Sequence, residues 1–128
     1  MFLSYARQNA EQARGLQSHI AGLGVRVWWD DSGLVGGRSW AEQIRQGIES
    51  SDALVVLCTE ESVGKQAITK NVVREIILAN DFRKKIIPIF LAKFDLSSEA
   101  HYLLCRDQWT YCLGGNFDKI AEALTLVL

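Results

Sequence analysis

The sequence predicts an α/β protein: a three-layer sandwich with a five-stranded parallel sheet and helices on both faces. Three observations predict it. Short apolar runs alternate along the chain with segments of helical period, the pattern of successive βαβ units. Several of those runs are apolar nearly throughout, as strands covered on both faces need to be. The 128 residues, 48% hydrophobic and 23% charged, amount to one domain with ample apolar material for its core.

The first strand reads over residues 1–5. Ala13, Leu16, Ile20 and Leu23 then recur at spacings of three and four, and Gly24 stops that helix. A second strand covers residues 25–30, followed by a glycine-bearing loop. Ser39, Trp40, Ala41 and Glu42 form a capping box ahead of Ile44 and Ile48. The third strand is expected over 52–58, and the next helix carries a stripe of Val72, Val73, Ile76 and Ile77. The fourth strand, 85–91, holds Pro88, which implies an irregularity because proline belongs at an edge or a bulge. A short helix starts at Ser97 or Ser98, and a fifth strand covers 108–113. The last helix carries Phe117, Ile120, Ala121, Leu124 and Val127, with Asn116 as its cap. Right-handed crossovers then favour the flavodoxin-like strand order 2-1-3-4-5.

Charge and composition exclude several functions. Fourteen basic against 15 acidic residues give a net charge of −1, which argues against direct nucleic-acid binding through phosphates. No apolar run approaches the roughly 18–20 residues of a membrane segment. Met1 leads straight into Phe2, Leu3, Ser4 and Tyr5 without a basic leader. Cys58, Cys105 and Cys112 are odd in number and make no CxxC, so neither zinc nor a disulfide framework is expected. They read as reduced, buried cysteines of a cytoplasmic protein. The chain begins inside a strand and ends inside an apolar helix, which suggests a module of a longer protein.

In open α/β sheets the ligand crevice lies beyond the carboxyl ends of the strands. No dinucleotide fingerprint or phosphate-binding loop occurs: Gly33, Gly36 and Gly37 have the wrong spacing, and Gly64-Lys65 is followed by Gln66. A phosphoreceiver would want acidic residues where this chain has Ser4, Tyr5, Cys58 and Thr59. His19 and His101 read as helix surface residues and suggest no Cys-His nucleophile. Two candidates remain. The loop from Gly33 to Arg38 is either a plain surface turn or a segment free to approach a partner. Glu75 falls at the margin of its helix's apolar stripe. It is either a solvated helix residue or a carboxylate placed to stabilise a developing cation.

Phe2-Leu3-Ser4-Tyr5 resembles the first-strand motif of the TIR (Toll/interleukin-1 receptor) domains, particularly the bacterial NAD+-cleaving branch. Gly24-Val25-Arg26-Val27-Trp28-Trp29-Asp30 is similar to that family's second strand, and Gly36-Gly37-Arg38-Ser39-Trp40 to the end of its BB loop. Ser51-Asp52-Ala53-Leu54-Val55-Val56-Leu57 and Lys85-Ile86-Ile87-Pro88-Ile89 resemble its third and fourth strands, the latter with proline at the same place. The resemblance covers nearly all of residues 1–128 as a single TIR domain. It implies cleavage of NAD+ at the nicotinamide–ribose bond, NAD+ being substrate and no cofactor being needed. Val72-Val73-Arg74-Glu75-Ile76 matches the position of the family's catalytic glutamate, so Glu75 is implied as catalytic. Ser4, Tyr5, Arg7, Asp30, Gly36, Gly37, Arg38 and Asn71 are implied around the substrate. Two positions depart from the family: Asn71 stands where an aromatic is usual, and Asn9 where an acid is common. Trp40 and Trp109 are the remaining aromatic candidates for stacking.

The resemblance also implies self-association through the Gly33–Arg38 loop, a fused sensor domain and a role in bacterial antiviral defence signalling. A non-catalytic homotypic interaction module is the alternative it leaves open. A deoxyribosyltransferase-like enzyme would need a second carboxylate as nucleophile, and the sequence singles none out. Gly37→Asp is expected to impair assembly and activity with the fold intact; light scattering showing normal assembly would overturn the loop's role.

Overall fold

The structure, a computed structural model, describes residues 1–29, 40–67 and 70–125. It is α/β, a parallel sheet flanked by helices. The described strands are β1 (Phe2–Ser4), β2 (Trp28–Trp29), β3 (Ala53–Cys58), β4 (Lys85–Phe90) and β5 (Thr110–Tyr111). They hydrogen-bond side by side in the order β2-β1-β3-β4-β5, each pair parallel. The helices are α1 (Ala10–Gly22), α2 (Trp40–Glu49), α3 (Glu60–Val63), α4 (Asn71–Asp81), α5 (Ser98–Leu104) and α6 (Ile120–Thr125). None of them is long and apolar enough to cross a membrane.

Strand alternation divides the core into two. Leu3, Val55, Leu57, Ile87 and Ile89 point to one face and meet Leu16 and Ile20 of α1 and Ile120 and Leu124 of α6. Phe2, Leu54, Val56 and Phe90 point to the other and meet Ile44 and Ile48 of α2, Ile76 of α4 and Leu104 of α5. α2 comes close because Gly47 has no side chain: a Cβ there would stand 3.0 Å from the Phe2 ring and 3.2 Å from Trp28. Phe2 and Trp28 stack at 4.6 Å beneath it.

Several expectations are corrected. Leu23 and Ile77 are exposed, because the buried stripes run through Ala13, Leu16 and Ile20 in α1 and through Val72, Val73, Ile76 and Ala79 in α4. Pro88 interrupts nothing. β4 pairs with β5 only at Ile89 and Phe90, so at Pro88 the strand has a ladder partner on one side alone, a position proline tolerates. Asn116 does not cap α6; its side chain accepts from the Asp118 amide in a turn before the helix. Ser97 does cap α5, accepting from the Ala100 amide at 3.1 Å. Cys58 and Cys112 are buried, whereas Cys105 is exposed. The short α3, between β3 and α4, leaves no signal in the sequence, since four residues are too few to show a period. The expected cap Ser39 and Val127 lie outside the described residues.

Ile76 is fully buried at the centre of the α4 contact with the sheet. Ile76→Ala is expected to cost about 2–5 kcal/mol, read as a lower denaturation midpoint at constant m-value. Asp107, between α5 and β5, has its carboxyl raised above the usual range by burial, with Lys85 pulling the other way. An acid raised in the folded state binds its proton more tightly there than in the unfolded chain. Its contribution therefore grows as pH falls from above the folded value toward the unfolded one. Asp107→Asn is expected to stabilise the protein at neutral pH. The gain should shrink on acidification, as a melting-temperature series of both proteins would show.

Candidate functional site

β1 ends at Ser4, and parity decides where Ser4 points. It shares a face with Phe2, the face covered by α2 and α4, while Leu3 and the partly buried Tyr5 pack on the α1 and α6 side. α4 is the crossover from β3 to β4, so it returns antiparallel to the strands and its first turns lie at their carboxyl ends. Glu75 sits in those turns. The two meet: the Ser4 hydroxyl donates to Glu75 Oε1 at 2.7 Å. Ser4 is 0% exposed, and the Glu75 side chain is half-buried.

Beside this pair is a hollow of about 200 Å³ between α2 and α4, lined by Ala41, Ile44, Asn71, Arg74, Glu75 and Leu78. The α4 residues fall at i, i+3, i+4 and i+7, which places them on one helix face. Ala41, Ile44 and Leu78 give it apolar walls, and Asn71, Arg74 and Glu75 supply an amide, a guanidinium and a carboxylate. A carboxylate against apolar walls is more strongly felt by a cation than one in open water, because the surroundings screen it less. Among the described residues, no group of three or more His, Cys, Asp and Glu could hold a metal ion.

A second polar cluster stiffens the same rim. Thr59, just past β3, donates to Asn9 Oδ1 at 2.7 Å and caps α3. Ser62 accepts from the Thr59 amide at 2.9 Å and donates to the Leu57 carbonyl at 2.9 Å. All three side chains are buried, and every described buried side-chain N or O has a partner. Gly64 closes the turn; a Cβ there would stand 2.7 Å from the Glu60 backbone, which no rearrangement of a side chain relieves.

Of the residues the sequence pointed to, the structure brings together Ser4, Glu75 and Asn71. Tyr5 packs on the opposite face of the sheet, and Arg7 lies exposed in the 3-10 turn Arg7–Asn9. Asp30, Gly36, Gly37 and Arg38, with the rest of the Gly33 to Arg38 loop, lie outside the described residues. Trp109, half-buried, is engaged against the core: it packs on Phe90 at 4.9 Å and donates its ring N–H to the Leu104 carbonyl. Arg74, Ala41 and Leu78 were missed as lining residues. The heptad-like spacing 71, 74, 75, 78 was the available signal, but only with Glu75 already chosen does it mark a lining face.

The TIR domain profile matches residues 1–124. No curated protein matches the sequence. Among solved structures, the TIR domain of the Toll-related receptor TRR-2 from Hydra magnipapillata superposes with a TM-score of 0.75 at 15% identity, over 98% of this chain and 93% of that one. The TIR domains of the activated Roq1 resistosome, which recognises the pathogen effector XopQ, give 0.56 at 20% identity over 98% and 81%. The CMP N-glycosidase BcmB of Clostridium botulinum gives 0.61 at 14% identity over 100% of both chains. A rim at the carboxyl ends of a parallel sheet, a first strand reading FLSY and a profile match over nearly every residue lead to one family: this chain belongs to the TIR domains.

Proposed function

We propose that this TIR domain is an NAD+ glycohydrolase, breaking the bond between nicotinamide and ribose once copies of it associate. The observation that carries the reading is the Glu75 carboxylate, fixed by Ser4 at 2.7 Å beside the hollow between α2 and α4. The structural similarity to a CMP N-glycosidase accords with N-glycosidic chemistry on this architecture.

The chemistry asks little of the protein. In NAD+ the nicotinamide ring nitrogen already carries a positive charge. When the C1′–N bond breaks, its electron pair neutralises that ring, and nicotinamide leaves without a general acid. The ribose becomes an oxocarbenium-like cation, as in glycoside cleavage. A carboxylate already in place stabilises that charge without reorganising. Water then adds at C1′ and loses a proton, giving ADP-ribose; attack by the adenine ring instead gives a cyclic product. Glu75 supplies the charge and holds the ribose hydroxyls, Asn71 and Arg74 border the same hollow, and Arg7 takes the phosphate side in this reading, where its fork suits phosphate oxygens.

Self-association belongs to the same proposal. The Gly33 to Arg38 loop of one copy completes the site of the next, and a head-to-tail contact of that kind propagates into open assemblies. Such a domain is switched on by whatever clusters it, a fused sensor in the parent protein. The role that follows is an effector of bacterial antiviral defence, acting by depletion of NAD+.

The test is nicotinamide release from NAD+ by the protein at high concentration or tethered in clusters, with Glu75→Gln beside it. Wild type should turn over and the variant should lose about 100-fold or more, the usual cost of removing one preorganised electrostatic group. An inert clustered wild type, or a variant as fast as wild type, would defeat the enzymatic reading. Assembly without turnover would leave the homotypic interaction module.

A further inference from the structure

We infer that Ser4 is a positioning residue for Glu75 and not a substrate-binding group. Its kinetic consequence rests on the glycohydrolase reading; the contact itself rests on geometry alone.

A serine hydroxyl has one proton to donate. In Ser4 that proton goes to Glu75 Oε1 at 2.7 Å, and the residue is 0% exposed, so it neither reaches nor donates to a ligand in the hollow. The two partners differ in stiffness. Ser4 ends β1, which is flanked by β2 and β3 and paired through Ser4 to Val56, so its Cα is held by the sheet. Glu75 hangs from α4 on a long side chain with several rotatable bonds, lost only when something grips the tip. A buried serine needing merely to satisfy its hydroxyl can bond a nearby carbonyl, as Ser51 does to Gly47 and Ser62 to Leu57. Ser4 reaches 71 residues along the chain to a carboxylate instead. The sheet thereby sets the aim of the one acidic group lining the hollow among the described residues.

The experiment combines NMR of the full chain labelled at the glutamate carboxyl carbons with steady-state kinetics under clustering. Wild type, Ser4→Ala and Ser4→Thr are compared, with circular dichroism to certify the fold of each. Ser4→Ala should move the Glu75 carboxyl resonance and lower kcat about 10- to 100-fold, the effect of losing one charge-assisted hydrogen bond, with KM nearly unchanged. Ser4→Thr, which restores a hydroxyl, should return the resonance and most of kcat. A resonance indifferent to Ser4→Ala, undiminished kcat, or a change confined to KM would overturn the inference. If the clustered wild type releases no nicotinamide but the resonance still answers to Ser4, the anchor stands and the glycohydrolase reading falls.

Discussion

A buried hydroxyl on a central strand donates to a carboxylate on the crossover helix, and the geometry of the rim is built around that contact. It exists because side chains alternate along β1. Phe2 and Ser4 face α4 while Leu3 faces α1, so a one-residue slip of the strand would send an apolar side chain toward Glu75 and the hydroxyl into the opposite core. Register is therefore strongly specified. The apolar pairs Phe2 with Leu54 and Leu3 with Val55 impose it, and Ser4 is carried to its place by that packing.

The surroundings of this pair are rigid in a way that suits electrostatic work. Thr59, Asn9 and Ser62 satisfy one another behind the rim, tying the turn after β1 to the end of β3. Below, Ile76 and Val72 seat α4 on the sheet, and Gly47 lets α2 sink onto Phe2 and Trp28. The hollow is thus built on two helices whose undersides are locked in a close-packed core, where displacement of either costs many contacts at once. In the glycohydrolase proposed above, a carboxylate that stabilises a cation gains from such a frame, since a loose one would relax around its own dipoles first.

Much of this was legible in the residues. Continuous apolarity marked buried strands, and spacings of three and four marked α1 and α4. The family motifs single out Glu75 without reference to any contact. Periodicity overreached where it took every apolar residue as inward-facing: Leu23 and Ile77 lie past the edge of their stripes and face water. It also could not weigh Pro88, whose tolerance depends on how far β5 runs beside β4. Asn116 looked like a cap because caps and turns use the same short polar side chains, and here the turn took it.

By itself the sequence determined which stretches bury which faces, because hydrophobic periodicity is a local record of what each element will touch. It also set the family, because the order and spacing of the motifs are properties of the chain. Only the tertiary structure decided that Ser4 spends its proton on Glu75, that Tyr5 turns to the other face, and that Arg74 joins Asn71 around the hollow. The first is a meeting between residues 71 positions apart, set by the crossing of α4 over the sheet, and no local pattern encodes it; the other two follow local periods whose meaning appears only once the faces of β1 and α4 are known.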